Sequence, residues 1–312
     1  MPYPYDIDEI NEQARKDPEA FSKECEAIYN RKVREAAADI YERTQICGVV
    51  FLSGPSGSGK TTTAIKICDA IKKLGVYAHT ISMDRYYLSH DLETTPRTED
   101  GEVDLESPYC LDIDLLNDHF DKLVQGKEVI IPHFSFNLQE RDPSRAKPLK
   151  LGKGEIVIFE GIHALNDMIG DEHPDAFKLY ISARSDIVEN NKVCFKRTWT
   201  RLLRRVVRDE LFRGAGAATT LNMWANVREG EKAYISPYKY KADLLFDSSM
   251  AYEVPVMKTF AVKAIREVPE GTKRSEELRA VLPALMAFEE IDSNLVPPES
   301  ILREFIGGSI YY

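Results

Sequence analysis

The segment Gly54-Pro55-Ser56-Gly57-Ser58-Gly59-Lys60-Thr61 restricts the possible folds of this chain more than any other feature. It fills every fixed position of the spacing G-x-x-x-x-G-K-[ST]. An apolar run, Val49–Leu52, leads in. On the far side Ala64, Ile65, Ile67, Cys68, Ile71 and Leu74 recur at helical spacing until Gly75 supplies a stop. A strand, a glycine-rich turn and a helix in that order bring backbone N–H groups and a helix N-terminus to one point, which is a place for an anion. The glycines let the backbone close around phosphate. Lys60 can reach β- and γ-phosphates and the Thr61 hydroxyl is placed for Mg²⁺, so Gly54 through Thr62 is expected to hold the nucleotide.

Strand-like runs occur at Gly48–Leu52, Val76–Ser82, Glu128–Ile131, Glu155–Phe159, Lys178–Ile181 and Leu244–Phe246, several of them separated by helical patterns. One such pattern is Ile113, Leu116, Phe120, Leu123 and Val124 before Gly126. Alternating strands and helices predict an α/β fold with a mostly parallel sheet and right-handed crossovers. Outside this region, residues 1–46 read as a helical N-terminal extension and 266–312 as a C-terminal helical extension, leaving 47–265 as the central domain.

The 51 acidic residues outnumber the 41 basic ones, and a net charge of −10 repels a nucleic-acid backbone over most of the surface. Nucleic acid is therefore not expected as a partner, and any bound anion must be met by a local cluster of donors. The five cysteines stand singly, so neither a zinc site nor a disulfide framework is expected. No signal-peptide pattern and no apolar run of roughly 18 residues occurs, which leads to the expectation of a cytoplasmic protein without a membrane partner.

Two acids and a run of arginines add chemistry to the phosphate cradle. Asp84 follows the run ending at Ser82, and Glu160 ends the run Ile156–Phe159; both then lie at the C-terminal edge of the sheet, where open α/β sheets bind ligands. Asp84 there can accept a hydroxyl proton, ligate a metal, or simply begin a turn. Glu160 resembles a Walker B acid, and Thr61, Asp84 and Glu160 together make a hard-oxygen shell suited to Mg²⁺. Arg197, Arg201, Arg204, Arg205 and Arg208 share one broad helix face, and Arg213 and a Gly/Ala/Thr-rich stretch follow. Such a stripe reads either as a lid whose arginines close on a transferring phosphate or as a solvated face paired with Asp209 and Glu210.

The order Gly54–Thr61, Asp84 to Tyr87, Asp104 to Asp112, Pro132 to Arg141, Glu160-Gly161, Arg204 to Gly214 and Tyr238 to Asp243 resembles the uridine kinase and phosphoribulokinase family of P-loop kinases, over about residues 46 to 262. The resemblance implies a three-layer P-loop NTPase sandwich with an arginine-bearing lid around 205–235, and transfer of the terminal phosphate of ATP, with Mg²⁺, to a small substrate. It implies Asp84 as base beside Lys60, a metal shell of Thr61, Asp84 and Glu160, and lid arginines Arg205, Arg208 and Arg213. It further implies that Asp104 holds substrate hydroxyls and that Tyr87, Phe134, Phe136 and Arg141 line the acceptor pocket.

Three positions depart from the uridine kinase pattern. Gln139 stands where uridine-cytidine kinases carry a histidine in P-x-Y-D-F-x-x-H-S-R, yet its amide can still donate and accept toward a pyrimidine edge. Ala215 stands where a further lid arginine is expected. Glu160-Gly161-Ile162-His163 is closer to the phosphoribulokinase pattern, with His163 either orienting a phosphate or packed as a structural side chain. The expected acceptor is a nucleoside, with a sugar or sugar phosphate as the alternative. A regulatory NTP-binding module is a third reading, prompted by the helical ends, and a homo-oligomer is left open.

Overall fold

Five strands, all parallel, lie in the order Leu244–Asp247, Phe177–Ser182, Val49–Ser53, Ile156–Glu160 and Ala78–Ser82. The computed structural model describes residues 3–43, 47–89, 95–98, 101, 103–171, 173–269, 271–272 and 275–311. Side chains alternate across the strands, so Val50, Leu52, Ile156, Ile158, Leu179 and Ile181 bury on one face while Val49, Phe51, Val157, Phe159 and Tyr180 bury on the other. Two apolar layers flanking one sheet make the expected three-layer sandwich. All five strands point their C-terminal ends at one edge, which therefore collects the loops that follow Ser53, Ser82 and Glu160.

One expected strand lies elsewhere. Within the Glu128–Ile131 run, Val129–Ile131 pairs antiparallel with Lys147–Leu149, outside the parallel sheet. Ile130 is exposed, and its partner Pro148 has no N–H to offer a further strand, so this pair stays a two-stranded flap. The Gly/Ala/Thr-rich stretch after Arg213 also takes more structure than its composition suggests: Ala217–Gly230 is helical and buries Leu221 and Trp224.

The chain's two ends join the same apolar layer. Helices Ile7–Lys16 and Pro18–Arg43 bury Ile10, Phe21, Tyr29, Val33 and Ile40 against it, and Tyr29 Oη lies 2.6 Å from Thr63 Oγ1 in the helix Lys60–Lys73. From the other end come the helix Ser275–Met286 and the segment through Arg303–Ile306, with Ile301, Leu302 and Phe305 fully enclosed. Burial of each such side chain contributes about 1.5–3 kcal/mol. A methyl group on Gly59 would stand 2.1 Å from Ile301 Cδ1, so this segment lies directly on the phosphate loop. Among the described residues no helix is long and apolar enough to cross a membrane.

Phe305→Ala leaves a cavity between this segment and the helix carrying Arg204, whose guanidinium lies 5.2 Å from the Phe305 ring. Urea unfolding should record a loss of about 3–5 kcal/mol. A loss below about 1 kcal/mol, the range of a solvated surface position, would show that the segment is not part of the folding unit.

Candidate active site

Gly57 and Gly59 both have positive φ, 75° and 82°, so the backbone of Gly54–Thr61 curls in a way that L side chains resist. A Cβ on Gly54 would also meet Ile181 O at 2.0 Å, which leaves no alternative to glycine there. Carbonyls of this loop turn outward and find donors behind it. Arg201 Nε donates to Ser56 O at 3.0 Å, and Arg204 Nη1 donates to Gly57 O and Ser58 O at 3.2 and 3.3 Å. These arginines belong to the helix Arg197–Phe212, and both are buried. The sequence grouped them with a solvent-facing or phosphate-facing stripe. Their role is structural instead: Arg201 pairs with Glu231 and Arg204 with Glu253, inside the protein.

Arg205 and Arg208 of that helix, and Arg213 just after it, line the cavity in front of the loop. Arg205 Nη1 donates to Ser56 Oγ at 2.9 Å. Buried Asp209 collects Arg205 on Oδ2 at 3.4 Å and Arg208 and Arg213 on Oδ1 at 3.0 and 3.6 Å, and Thr220 Oγ1 donates to Oδ2 at 3.3 Å. One carboxylate cannot neutralise three guanidinium groups, so the fork keeps a surplus of positive charge facing a cavity of about 1040 Å³. Arg197, by contrast, sits at the helix start beside Asp186 and away from the cavity.

Lys60, Thr61, Asp84 and Glu160 share that cavity. Asp84 lies in the turn Met83–Tyr86, whose N-cap is Ser82 rather than Asp84; that leaves the Asp84 carboxylate free for the cavity. Thr61 Oγ1 donates to Glu160 Oε1 at 3.1 Å. Burial pushes the Glu160 carboxyl up to about 7 against the pull of Lys60, and burial also raises Asp84, opposed by Lys60 and Arg213. Lys60 is lowered by burial and raised back by Glu160, Asp84 and Glu304. Two carboxylates raised by desolvation beside a hydroxyl form a hard-oxygen set that a divalent cation would stabilise. Among the described residues no group of three or more His, Cys, Asp or Glu side chains gathers to hold a metal by itself, so such a cation needs phosphate and water oxygens as well.

The same cavity is also lined by Tyr87, Leu105, Glu106, Phe136 and Asn137. The Tyr87 ring contacts Phe134 and Phe136 at centroid distances of 5.5 and 5.7 Å. Phe134 is buried behind this wall rather than in it. Several expected acceptor residues serve the scaffold here. Arg141 donates to Tyr86 O and Tyr87 O and pairs with Asp112 at 2.9 Å, so its guanidinium is fully committed. His163 is enclosed against Tyr234, and burial drives its pKa down to about 3, which leaves it a neutral packed side chain. Gln139 is exposed, with φ of 56°, in the turn joining Phe134–Ser135 to Glu140–Arg141, outside the cavity. Counting along the motif placed it at the base edge, but the hairpin reverses the chain there, and Asn137 faces the cavity instead.

Asp104 Oδ1 accepts from Glu106 N at 3.2 Å and so caps a turn; it is Glu106 that reaches the cavity. Glu106 was missed in the sequence. Its Oε2 is buried without a hydrogen-bond partner, and burial raises its pKa to about 7, opposed by Arg205 and Lys60. Both acids follow the same segment two residues apart, and only the turn that Asp104 caps decides which one points inward.

The family model for the Phosphoribulokinase / Uridine kinase family matches residues 49–255. A uridine kinase of Halobacterium salinarum is 28% identical over 197 residues, which cover 63% of this chain and 78% of that protein. A uridine kinase of Schizosaccharomyces pombe is 26% identical over 267 residues, which cover 82% of this chain but 54% of the yeast protein. Among solved structures, a fructose transport system kinase candidate from Silicibacter sp. shares the fold with a TM-score of 0.51 at 21% identity, over 69% of this chain and 98% of its own. Because the family match runs from the strand before the phosphate loop to the helix that follows the last parallel strand, the chain belongs to the Phosphoribulokinase / Uridine kinase family, as a P-loop kinase acting on a small substrate.

Proposed function

We propose that this kinase transfers the γ-phosphate of ATP, with Mg²⁺, to the 5′-hydroxyl of a nucleoside. The observation that carries the reading is one cavity lined both by cations suited to phosphate, Lys60 with Arg205, Arg208 and Arg213, and by Tyr87, Phe136 and Glu106. An aromatic wall suits a flat base, Asn137 offers a donor and an acceptor to its edge, and a carboxylate suits sugar hydroxyls. A phosphorylated sugar fits less well, since the acceptor end presents the Glu106 carboxylate and Arg141 is held by Asp112 and backbone carbonyls. Residues 47–265 form the transferase unit in this reading, with 205–235 as the element that closes on the donor.

The acceptor oxygen attacks the γ-phosphorus and its proton passes to Asp84, while the bond from that phosphorus to the β–γ bridging oxygen breaks and ADP leaves. Lys60 and the three arginines face the charge that spreads over the moving phosphoryl group. Thr61, Asp84 and Glu160 would hold the cation, which neutralises phosphate charge when bound. ATP consumption measured across nucleosides and pentose phosphates tests the reading. Turnover should be fastest with a nucleoside; turnover confined to a phosphorylated sugar, or independent of any acceptor, overturns it.

Asp84→Asn keeps the shape and removes the base. It should lower kcat by at least about a hundredfold while ATP still binds. Transfer within a few-fold of wild type would place the base elsewhere.

Arg205→Ala, Arg208→Ala and Arg213→Ala should each slow transfer by roughly ten- to a thousandfold with smaller changes in ATP affinity, because their contacts strengthen as charge develops. Lysine replacements should rescue poorly, since an ammonium lacks the guanidinium fork. Arg197→Ala should be nearly silent. Uniform, mild effects across all four in steady-state kinetics would reduce the fork to a surface charge pattern.

Burial pushes the Glu106 carboxyl up to about 7, and only its ionised form is acceptor-only toward a sugar hydroxyl. At saturating ATP and Mg²⁺, which also hold Glu160 ionised, kcat/KM for the acceptor should therefore fall as pH drops below about 7. Glu106→Gln should flatten that limb and raise KM. If the limb survives in the variant, Glu106 is not its source.

A further inference from the structure

Beyond the region matched by the family, the C-terminal segment lies against the nucleotide side of the cavity. Arg303–Glu304 and Gly307–Ser309 line it together with the phosphate loop. Glu304 Oε2 accepts from Thr62 Oγ1 at 2.6 Å, in the first turn of the helix that follows the loop. Arg303 holds the segment in shape: Nε donates to Val296 O at 3.1 Å, Nη1 to Gly307 O at 3.2 Å and Nη2 to Ser293 O at 3.0 Å. Gly307 and Gly308 both have positive φ, 87° and 77°. A Cβ on Gly307 would stand 2.6 Å from Phe212 Cζ, so the ring at the end of the arginine helix rests on this turn and faces the cavity beside it.

We propose that this segment is a permanent wall of the donor site which receives the nucleoside end of the donor nucleotide, with Glu304 accepting one of its hydroxyl or amino hydrogens. The proposal rests on the reading of the cavity as a nucleotide-dependent kinase site. Glu304 is near enough to Lys60 for its charge to raise that pKa, but its Oε2 is held on Thr62, and a carboxylate repels phosphate, so the triphosphate lies along Lys60 and the arginines rather than against Glu304. What remains for the Glu304 side is the uncharged part of the donor, which carries hydrogens for an acceptor-only group and a flat base for the Phe212 ring. A removable inhibitory strap fits the packing poorly. Lifting it would expose Ile301, Leu302 and Phe305, which have no exposure now, and break the 2.7 Å bond from Lys66 Nζ to Glu299 O.

Calorimetric binding of ATP and of inorganic tripolyphosphate, each with Mg²⁺, separates the two ends of the donor. Glu304→Ala should weaken ATP by about ten- to a hundredfold and leave tripolyphosphate unchanged or tighter. Phe212→Ala should show the same selectivity, and Glu304→Gln, which keeps the bond to Thr62, should lie between wild type and Glu304→Ala if the alanine variant folds poorly. Parallel weakening or parallel tightening of both ligands overturns the assignment, since Glu304 would then act on the phosphates or on the loop's shape. Wild-type protein that binds neither ligand overturns the donor reading and this assignment with it.

Discussion

Arg204 is the contact on which the site depends. Backbone N–H groups of the phosphate loop can face a ligand only if the loop's carbonyls face away, and outward carbonyls buried in protein need donors. Arg204, with no exposure, supplies them to Gly57 and Ser58 while its Nε donates to Glu253 Oε2 at 2.7 Å and its Nη2 to Ser248 O at 2.8 Å. A buried ion pair is a weak source of stability, because desolvation offsets its attraction. What this one contributes is position. It fixes the arginine helix to the loop and to the helix Glu253–Arg266 at once, and so sets where Arg205, Arg208 and Arg213 stand.

Charge is sorted with the same economy. In a chain of net charge −10, three arginines gather around a single carboxylate, Asp209, and line the same cavity as Lys60. Three of the acids that line the cavity, Asp84, Glu106 and Glu160, are pushed toward their neutral forms by burial. A cation and a polyphosphate complement these two halves.

The ends of the chain are bound into this arrangement. Tyr29, from the N-terminal helix Pro18–Arg43, meets Thr63, and Glu304, from the C-terminal segment, meets Thr62, so both termini touch the first turn of the helix that follows the phosphate loop. Tyr252 Oη, next to Glu253, donates to Glu26 Oε1 at 2.6 Å. Segments that look like appendages along the sequence are therefore packed onto the helix that follows the loop, with Tyr29, Tyr252 and Glu26 all buried.

The phosphate loop, the strand-end acids and the three-layer arrangement were legible in the sequence because each is local. A turn needs its glycines, a strand's end carries its acid, and the 3.6 and 2.0 periodicities fix which face is buried. Even the presence of an arginine helix was local. Which of its arginines face the ligand was not, because Arg204 and Arg205 are neighbours in sequence and part ways only against Glu253 and Ser56. The choice of Glu106 over Asp104, the removal of Gln139 by a hairpin and the arrival of Glu304 from residues far along the chain were likewise decided by tertiary contact. Residue spacing reports what one element presents, whereas the cavity is made by side chains meeting from elements that the sequence keeps apart.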